Sequence, residues 1–195
     1  MTVLTPANQL TLMRVLLIPA FIILVVYQHF GWALVAFVTA GITDALDGLI
    51  ARRTGHKSTI GAWLDPMADK LLLVTTFVVL TQTGLGLINR IPFWLTVLII
   101  SRDVVIVLTV AIVNLAVGPR TFRPSAFGKA ATAIYIATCV VVMYENWRGR
   151  PSFWVDFWVY ASLAITLLSS GHYLVHTTRA INRGYPSSSG NIQSS

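Results

Sequence analysis

The chain has 195 residues, of which 55% are hydrophobic and only 11% are charged. A soluble domain carries about 25% charged residues, so this composition excludes an ordinary soluble domain and indicates an integral membrane protein. The net charge of +7 comes from basic residues between apolar runs, which indicates membrane topology and anionic headgroups rather than nucleic acid. Cys139 is the only cysteine, so no internal disulfide is possible.

Apolar segments in chain order predict an all-α bundle of six membrane-spanning helices. A polar tail follows the last segment, and its Ser-rich composition predicts disorder. We therefore expect a membrane domain over residues 1–180 and a disordered tail over 181–195. The predicted spans are 9–27, 32–52, 59–81, 93–116, 127–144 and 153–176.

Lysine and arginine lie mostly on one side of these predicted spans, which orients the chain. Arg90, Arg148 and Arg150 lie on the poorer side. The positive-inside rule makes the richer side cytoplasmic, so both termini are expected in the cytoplasm. That side collects Arg14, Arg52, Arg53, Lys57, Arg120, Arg123, Lys129, Arg179 and Arg183.

Four of the seven acidic residues fall in one short stretch, in two pairs. Asp44 and Asp47 are three residues apart, and Asp65 and Asp69 are four apart, so on helices each pair shares a face. Small residues lie on the same faces, which lets a ligand or a second backbone approach closely. These small residues are Gly48, Ala51 and Gly61.

Clustered acids of this kind predict a metal site. A charged residue at mid-bilayer costs about 2.5–3.5 kcal/mol, and carboxylates about 5 Å apart repel by roughly 3 kcal/mol at an effective dielectric of about 20. A divalent cation offsets both terms, and carboxylate oxygen suits Mg²⁺, Mn²⁺ or Ca²⁺. Such a site at a membrane surface fits phosphate chemistry. The alternative from a different class is an ion pathway, as in a small metal-ion transporter or channel.

The same acids carry a family resemblance. Residues 44–69 fit the pattern D-x-x-D-G-x-x-A-R-x8-G-x-x-x-D-x-x-x-D at every fixed position. This pattern resembles the signature of the CDP-alcohol phosphatidyltransferases. The resemblance implies transfer of a phosphatidyl group from CDP-diacylglycerol to an alcohol, with release of CMP. It also implies two divalent ions, usually Mg²⁺ or Mn²⁺, and a homodimer.

Residue roles follow from the resemblance position by position. Asp44, Asp47 and Asp65 are implied as metal ligands, and Asp69 as both a metal ligand and the general base on the acceptor hydroxyl. Arg52 is implied to contact the donor phosphate. The implied CDP-diacylglycerol site comprises Asp44, Asp47, Gly48, Ala51, Arg52, Gly61 and Asp65.

Flanking stretches bear on the acceptor alcohol. "NQLTLMRVLLIP" (8–19), "LDPMADK" (64–70), "IISRDV" (99–104) and "FGK" (127–129) resemble the phosphatidylglycerophosphate synthases and cardiolipin synthases of the family. Glycerol 3-phosphate is the first expected acceptor and phosphatidylglycerol the second. The implied acceptor-phosphate residues are Arg102, Lys129, Arg120 and Arg123.

Structural alternatives stay open for some of these charges. Arg102 and Asp103 are also consistent with a simple internal ion pair, and Lys70 with a pair to a nearby acid. The expected location is a bacterial inner membrane, with the active site at the cytoplasmic face.

Overall fold

The fold consists of six α-helices in the part of the chain that the structure describes. This computed structural model describes the backbone of residues 6–54, 59–117 and 126–184, and side chains within 13–43, 68, 70–109 and 127–173. The helices are α1 (Pro6–Val26), α2 (Phe30–Thr54), α3 (Thr59–Thr81), α4 (Phe93–Val117), α5 (Ala126–Trp147) and α6 (Phe153–Gly184).

The six predicted helices are confirmed as helices. The bounds of α3 coincide with the predicted span, and the other helices differ from their predicted spans by a few residues at one or both ends. The largest difference is in α6, which continues to Gly184 and so passes the predicted boundary at residue 180. Residues 185–195, most of the predicted tail, lie outside the described residues.

The helices pack around a common core. α1 packs against α2 and α3, α5 joins α2, α3 and α6, and α4 packs against α3 and α6. Aromatic rings occupy the centre: Phe77 of α3 meets Tyr135 of α5 edge to face at 5.8 Å, and Phe21 of α1 lies 6.2 Å from Phe37 of α2. All four rings are buried.

Many large apolar side chains are exposed among the described residues, and hydroxyl groups lie buried beside the apolar core. Leu16 of α1 is 64% exposed and Leu168 of α6 is 61% exposed. Exposed apolar side chains in this number suit a hydrocarbon environment. Among the described side chains, two helical segments are long and apolar enough to cross a membrane, Phe127–Trp147 and Phe153–Tyr173. Shorter apolar stretches, within the part searched, are Met13–Val26, Phe30–Thr43 and Lys70–Thr81.

Buried hydroxyl groups join α5 to α6. Tyr135 and Thr166 share a hydrogen bond of 2.6 Å, and Thr138 and Ser162 share one of 2.7 Å. Thr166 also donates to the backbone carbonyl of Ser162. Hydroxyl bonds of this type hold helices together in a bilayer, where the hydrophobic effect does not.

Three turns meet at one end of the bundle, which we call the loop end: 27–29, 82–92 and 148–152. Asn146 accepts hydrogen bonds at Oδ1 from the backbone N–H groups of Ile88 and Asn89, and its Nδ2 donates to the carbonyls of Asn89 and Val142. The side chain of Asn89 donates from Nδ2 to the backbone carbonyl of Arg150 and accepts at Oδ1 from the backbone N–H of Ser152. The loop end therefore fixes the helix pairs relative to one another.

Large aromatic residues ring the loop end. Trp32 is 69% exposed, and Trp147, Trp154, Phe93 and Phe153 are exposed as well. Aromatic belts of this kind lie at membrane–water interfaces. The opposite end, which we call the motif end, carries the C-terminus of α2 and the N-terminus of α3.

Candidate active site

The two acidic pairs lie on consecutive helices at matching distances from the link between them. Asp44 and Asp47 belong to α2, and Asp65 and Asp69 belong to α3. Asp44 lies ten residues before the end of α2, and Asp69 lies ten residues after the start of α3. At 1.5 Å per residue both positions are about 15 Å from the link along their helices. Asp47 and Asp65 are likewise matched, at seven and six residues.

Helical backbone at these positions supports the predicted pairing of acids on one face of each helix. Because α2 and α3 are helical throughout both pairs, residues three and four apart share a face. The side chains of the motif lie outside the described residues. Arg120 and Arg123 lie outside the described residues in both backbone and side chain. The motif side chains concerned are Asp44, Asp47, Gly48, Ala51, Arg52, Gly61, Asp65 and Asp69.

A cluster of described polar side chains begins directly after the last acid of the motif. Lys70 of α3 places Nζ 2.5 Å from Oδ2 of Asp103 on α4. Arg102 Nη1 lies 3.2 Å from Oδ1 of the same carboxylate, and Arg102 Nη2 donates to Ser169 Oγ of α6 at 2.6 Å. We call Lys70, Arg102, Asp103 and Ser169 the charged cluster. It joins α3, α4 and α6 through charge-assisted hydrogen bonds.

Arg102 is the most enclosed member of the charged cluster. Its side chain is 8% exposed, against 22% for Asp103 and 53% for Lys70. Tyr135 of α5 lies within electrostatic range of both Arg102 and Asp103. Nε of Arg102 is buried and has no hydrogen-bond partner among the described residues. The predicted internal pair of Arg102 with Asp103, and the pairing of Lys70 with a nearby acid, are both confirmed.

The charged cluster has an unbalanced charge. Among the described side chains, two cations contact a single carboxylate, which leaves one unit of positive charge. This excess of positive charge among the described side chains favours an anionic group nearby, because opposite charges attract. The predicted acceptor-phosphate role of Arg102 is compatible with this geometry.

Two other basic residues differ in their surroundings. Lys129, a predicted acceptor-phosphate residue, is exposed in the first turn of α5. Arg14 of α1 belongs to the charges that orient the chain, yet its side chain is fully buried. Sequence reasoning did not assign Arg14 to a site, although it falls within the stretch 8–19 that carries part of the resemblance.

An apolar cleft of about 320 Å³ opens between α2, α3 and α5. Its walls include Gly41 and Ile42, which lie within one helical turn before the first acidic pair, and Leu72 and Leu73, which lie about one turn after the second. The cleft therefore lies beside both halves of the motif.

Comparison with known proteins identifies the family. Residues 4–168 match the family of CDP-alcohol phosphatidyltransferases, and the chain belongs to this family. It is therefore an enzyme, a transferase of phospholipid biosynthesis. Enzymes of this family generally depend on divalent metal ions, and they are membrane-associated.

Relatives of two kinds match the chain. A probable phosphatidylglycerophosphate synthase of Mycobacterium tuberculosis is 31% identical over 183 residues, covering 90% of this chain and 82% of the relative. The CDP-diacylglycerol–glycerol-3-phosphate 3-phosphatidyltransferase of Pseudomonas fluorescens is 32% identical over 187 residues, covering 92% and 89%. The human cardiolipin synthase (CMP-forming) is 40% identical over 150 residues, covering 76% of this chain and 44% of the relative.

Proposed function

We propose that the enzyme transfers the phosphatidyl group of CDP-diacylglycerol to sn-glycerol 3-phosphate, giving phosphatidylglycerophosphate and CMP. The observation that carries this proposal is the match, over at least four fifths of both chains, to relatives named for this chemistry. The charged cluster supports it independently, because a buried arginine with a second cation beside it suits a phosphate-bearing acceptor.

The acidic motif fits a site for two divalent ions. The donor set is four carboxylates, which are the hard oxygen ligands that Mg²⁺ and Mn²⁺ prefer. Matching distances of the two pairs from the α2–α3 link allow both helices to contribute to one site. Asp44, Asp47, Asp65 and Asp69 would hold the ions, and bound ions would neutralise charge on the diphosphate of the donor.

The chain's own groups carry the remaining chemistry. The acceptor hydroxyl oxygen attacks the β-phosphorus of CDP-diacylglycerol, a new phosphorus–oxygen bond forms, and the bond to CMP breaks. Asp69 takes the proton of that hydroxyl as general base. Arg52 contacts the donor phosphate, Gly48 leaves room for the cytidine nucleotide, and Ala51 and Gly61 allow close packing there.

Four basic residues bind the acceptor in this proposal. Arg102 holds the phosphate of the acceptor, since a guanidinium offers several donors in a fixed plane. Lys129 lies at the start of α5 and adds a second charge from the exposed end of that helix. Arg120 and Arg123 precede it in the chain and complete the proposed set.

The membrane placement follows the charge distribution. Six spans with both termini in the cytoplasm put the motif end, and so the active site, at the cytoplasmic face of a bacterial inner membrane. The acyl chains of the donor stay in the lipid while its headgroup enters the site. The apolar cleft between α2, α3 and α5 gives an acyl chain room close to the motif. A homodimer is the proposed assembly.

A cardiolipin synthase that uses phosphatidylglycerol as acceptor is the second candidate. The higher identity to the human enzyme, 40% over 150 residues, favours it. The match covers less of both chains than the matches to the glycerol 3-phosphate enzymes do, and so it ranks second.

An acceptor panel separates these candidates. Purified enzyme receives labelled CDP-diacylglycerol with glycerol 3-phosphate, phosphatidylglycerol, serine or inositol 1-phosphate, and the lipid product is identified. The proposal predicts phosphatidylglycerophosphate with glycerol 3-phosphate alone. Cardiolipin formed from phosphatidylglycerol, with no product from glycerol 3-phosphate, would replace it with the second candidate.

A further inference from the structure

We propose that Asp103 is a positioning residue for the acceptor: its carboxylate holds Lys70 and Arg102 in place as two walls of the acceptor-phosphate site. This inference rests on the proposed function for the identity of the acceptor. Asp103 itself belongs to neither the acidic motif nor the proposed acceptor-phosphate residues.

The first support is that the two carboxylate oxygens of Asp103 contact different cations. Oδ2 of Asp103 contacts Lys70, and Oδ1 contacts Arg102, so one side chain holds cations from two helices. Arg102 has a second anchor in Ser169 of α6. Within the described part of the chain, Lys70 has Asp103 as its ion-pair and hydrogen-bond partner. Removal of the Asp103 charge should therefore weaken the hold on Lys70 most and the hold on Arg102 in part.

The second support is electrostatic. Lys70 and Arg102 repel each other, and the carboxylate between them allows both to stay close together. The cluster nevertheless keeps one unit of positive charge among its described members, and Arg102 Nε is buried without a hydrogen-bond partner there. Asp103 thus holds the two cations together, and the cluster still attracts an anion such as the acceptor phosphate.

The third support is position. Lys70 follows Asp69, the proposed general base, directly in the chain. The contact of Lys70 with Asp103 therefore ties the end of the acidic motif on α3 to the phosphate-binding residue on α4. A site set in this way places the phosphate of the acceptor at a fixed distance from the base that receives its hydroxyl proton. The effect should fall on the acceptor and not on CDP-diacylglycerol.

The test is Asp103→Asn, which keeps the shape of the side chain and removes its charge. We expect the KM for glycerol 3-phosphate to rise roughly tenfold, the effect of losing one or two charge-assisted hydrogen bonds. The KM for CDP-diacylglycerol should change by less than about twofold, within the spread of unrelated surface substitutions. Asp103→Glu restores the charge and should recover most of the acceptor KM. The matched control is Asp156→Asn, an exposed acid at the loop end, and it should leave both values unchanged.

Several results would overturn the inference. Equal increases in both KM values, or a fall in kcat with an unchanged acceptor KM, would assign Asp103 a merely structural role. If Asp103→Asn does not accumulate in a folded state, Lys70→Met takes its place, and an unchanged acceptor KM for that variant also overturns the inference. Turnover of the wild-type enzyme is measured first, and the acceptor that the wild-type enzyme uses is then used for every variant. A wild-type enzyme inactive toward glycerol 3-phosphate would contradict the proposed function and not the role of Asp103.

Discussion

Lys70 and Asp103 form an ion pair of 2.5 Å between α3 and α4. Lys70 directly follows Asp69, the last acid of the motif. The pair joins the helix that carries Asp65 and Asp69 to the helix that carries Arg102. Under the proposed function, this contact links the helix of the proposed donor site to the helix of the proposed acceptor-phosphate residue.

Asp69→Asn should abolish turnover while CDP-diacylglycerol still binds. The amide cannot accept the hydroxyl proton, whereas three other carboxylates of the motif remain to hold metal and donor. Turnover is measured by CMP release and donor binding by a direct binding assay in detergent micelles. Near-normal turnover of this variant would show that another group is the base.

Arg102→Ala should raise the KM for glycerol 3-phosphate by at least about tenfold, because a charged partner of the phosphate is lost. Arg102→Lys should restore only part of this loss, since an ammonium lacks the planar fork of a guanidinium. Arg90→Ala, an exposed arginine at the loop end, is the matched control. An unchanged KM in Arg102→Ala would remove Arg102 from the acceptor site.

Asn146→Ala should destabilise the bundle by about 2–4 kcal/mol, because the backbone N–H groups of the buried Asn89 and of Ile88 lose their acceptor. Unfolding in mixed micelles gives the free energy of unfolding. Gln82→Ala, at an exposed residue that begins the turn 82–92, should change it little. Equal stability of Asn146→Ala and the wild type would mean that these hydrogen bonds do not hold the loop end.

Gly86→Ala should also destabilise the loop end, by about 1–2 kcal/mol. Gly86 has a φ of +68°, and a Cβ there would lie 2.5 Å from Nε2 of Gln28. Gly171→Ala is the control, because a Cβ on that helical glycine meets nothing within 4 Å. The same unfolding measurement compares the two variants, and a smaller loss in Gly86→Ala than in Gly171→Ala would contradict the expectation.

Much of the fold was predictable because apolar length and loop composition act locally. The segment 59–81 became α3 with the same bounds, and "TGLGLINRIP" became the turn before α4. The sequence likewise predicts that each acidic pair shares one face of its helix, because residues three and four apart lie on the same face. The pair of Arg102 with its neighbour Asp103 was readable for the same local reason.

Contacts between distant helices were not predictable from one sequence. Ser169 binds Arg102 from 67 residues away, and Asn146 binds Asn89 from 57 residues away. Periodicity states which residues share a face of a helix, but not which helix lies opposite. Arg14 was read as a charge that orients the chain, and its complete burial depends on how α1 packs against α2 and α3.

Metal-dependent CMP release tests the central claim most directly, since the claim assigns the four aspartates of α2 and α3 to divalent ions and a CDP-linked lipid. Purified enzyme with CDP-diacylglycerol and glycerol 3-phosphate is assayed after chelation, after return of Mg²⁺ or Mn²⁺, and as the Asp44→Asn variant. Release should disappear on chelation, return with the metal and stay absent in the variant. CMP release by the metal-free enzyme, or undiminished release by Asp44→Asn, would contradict the account.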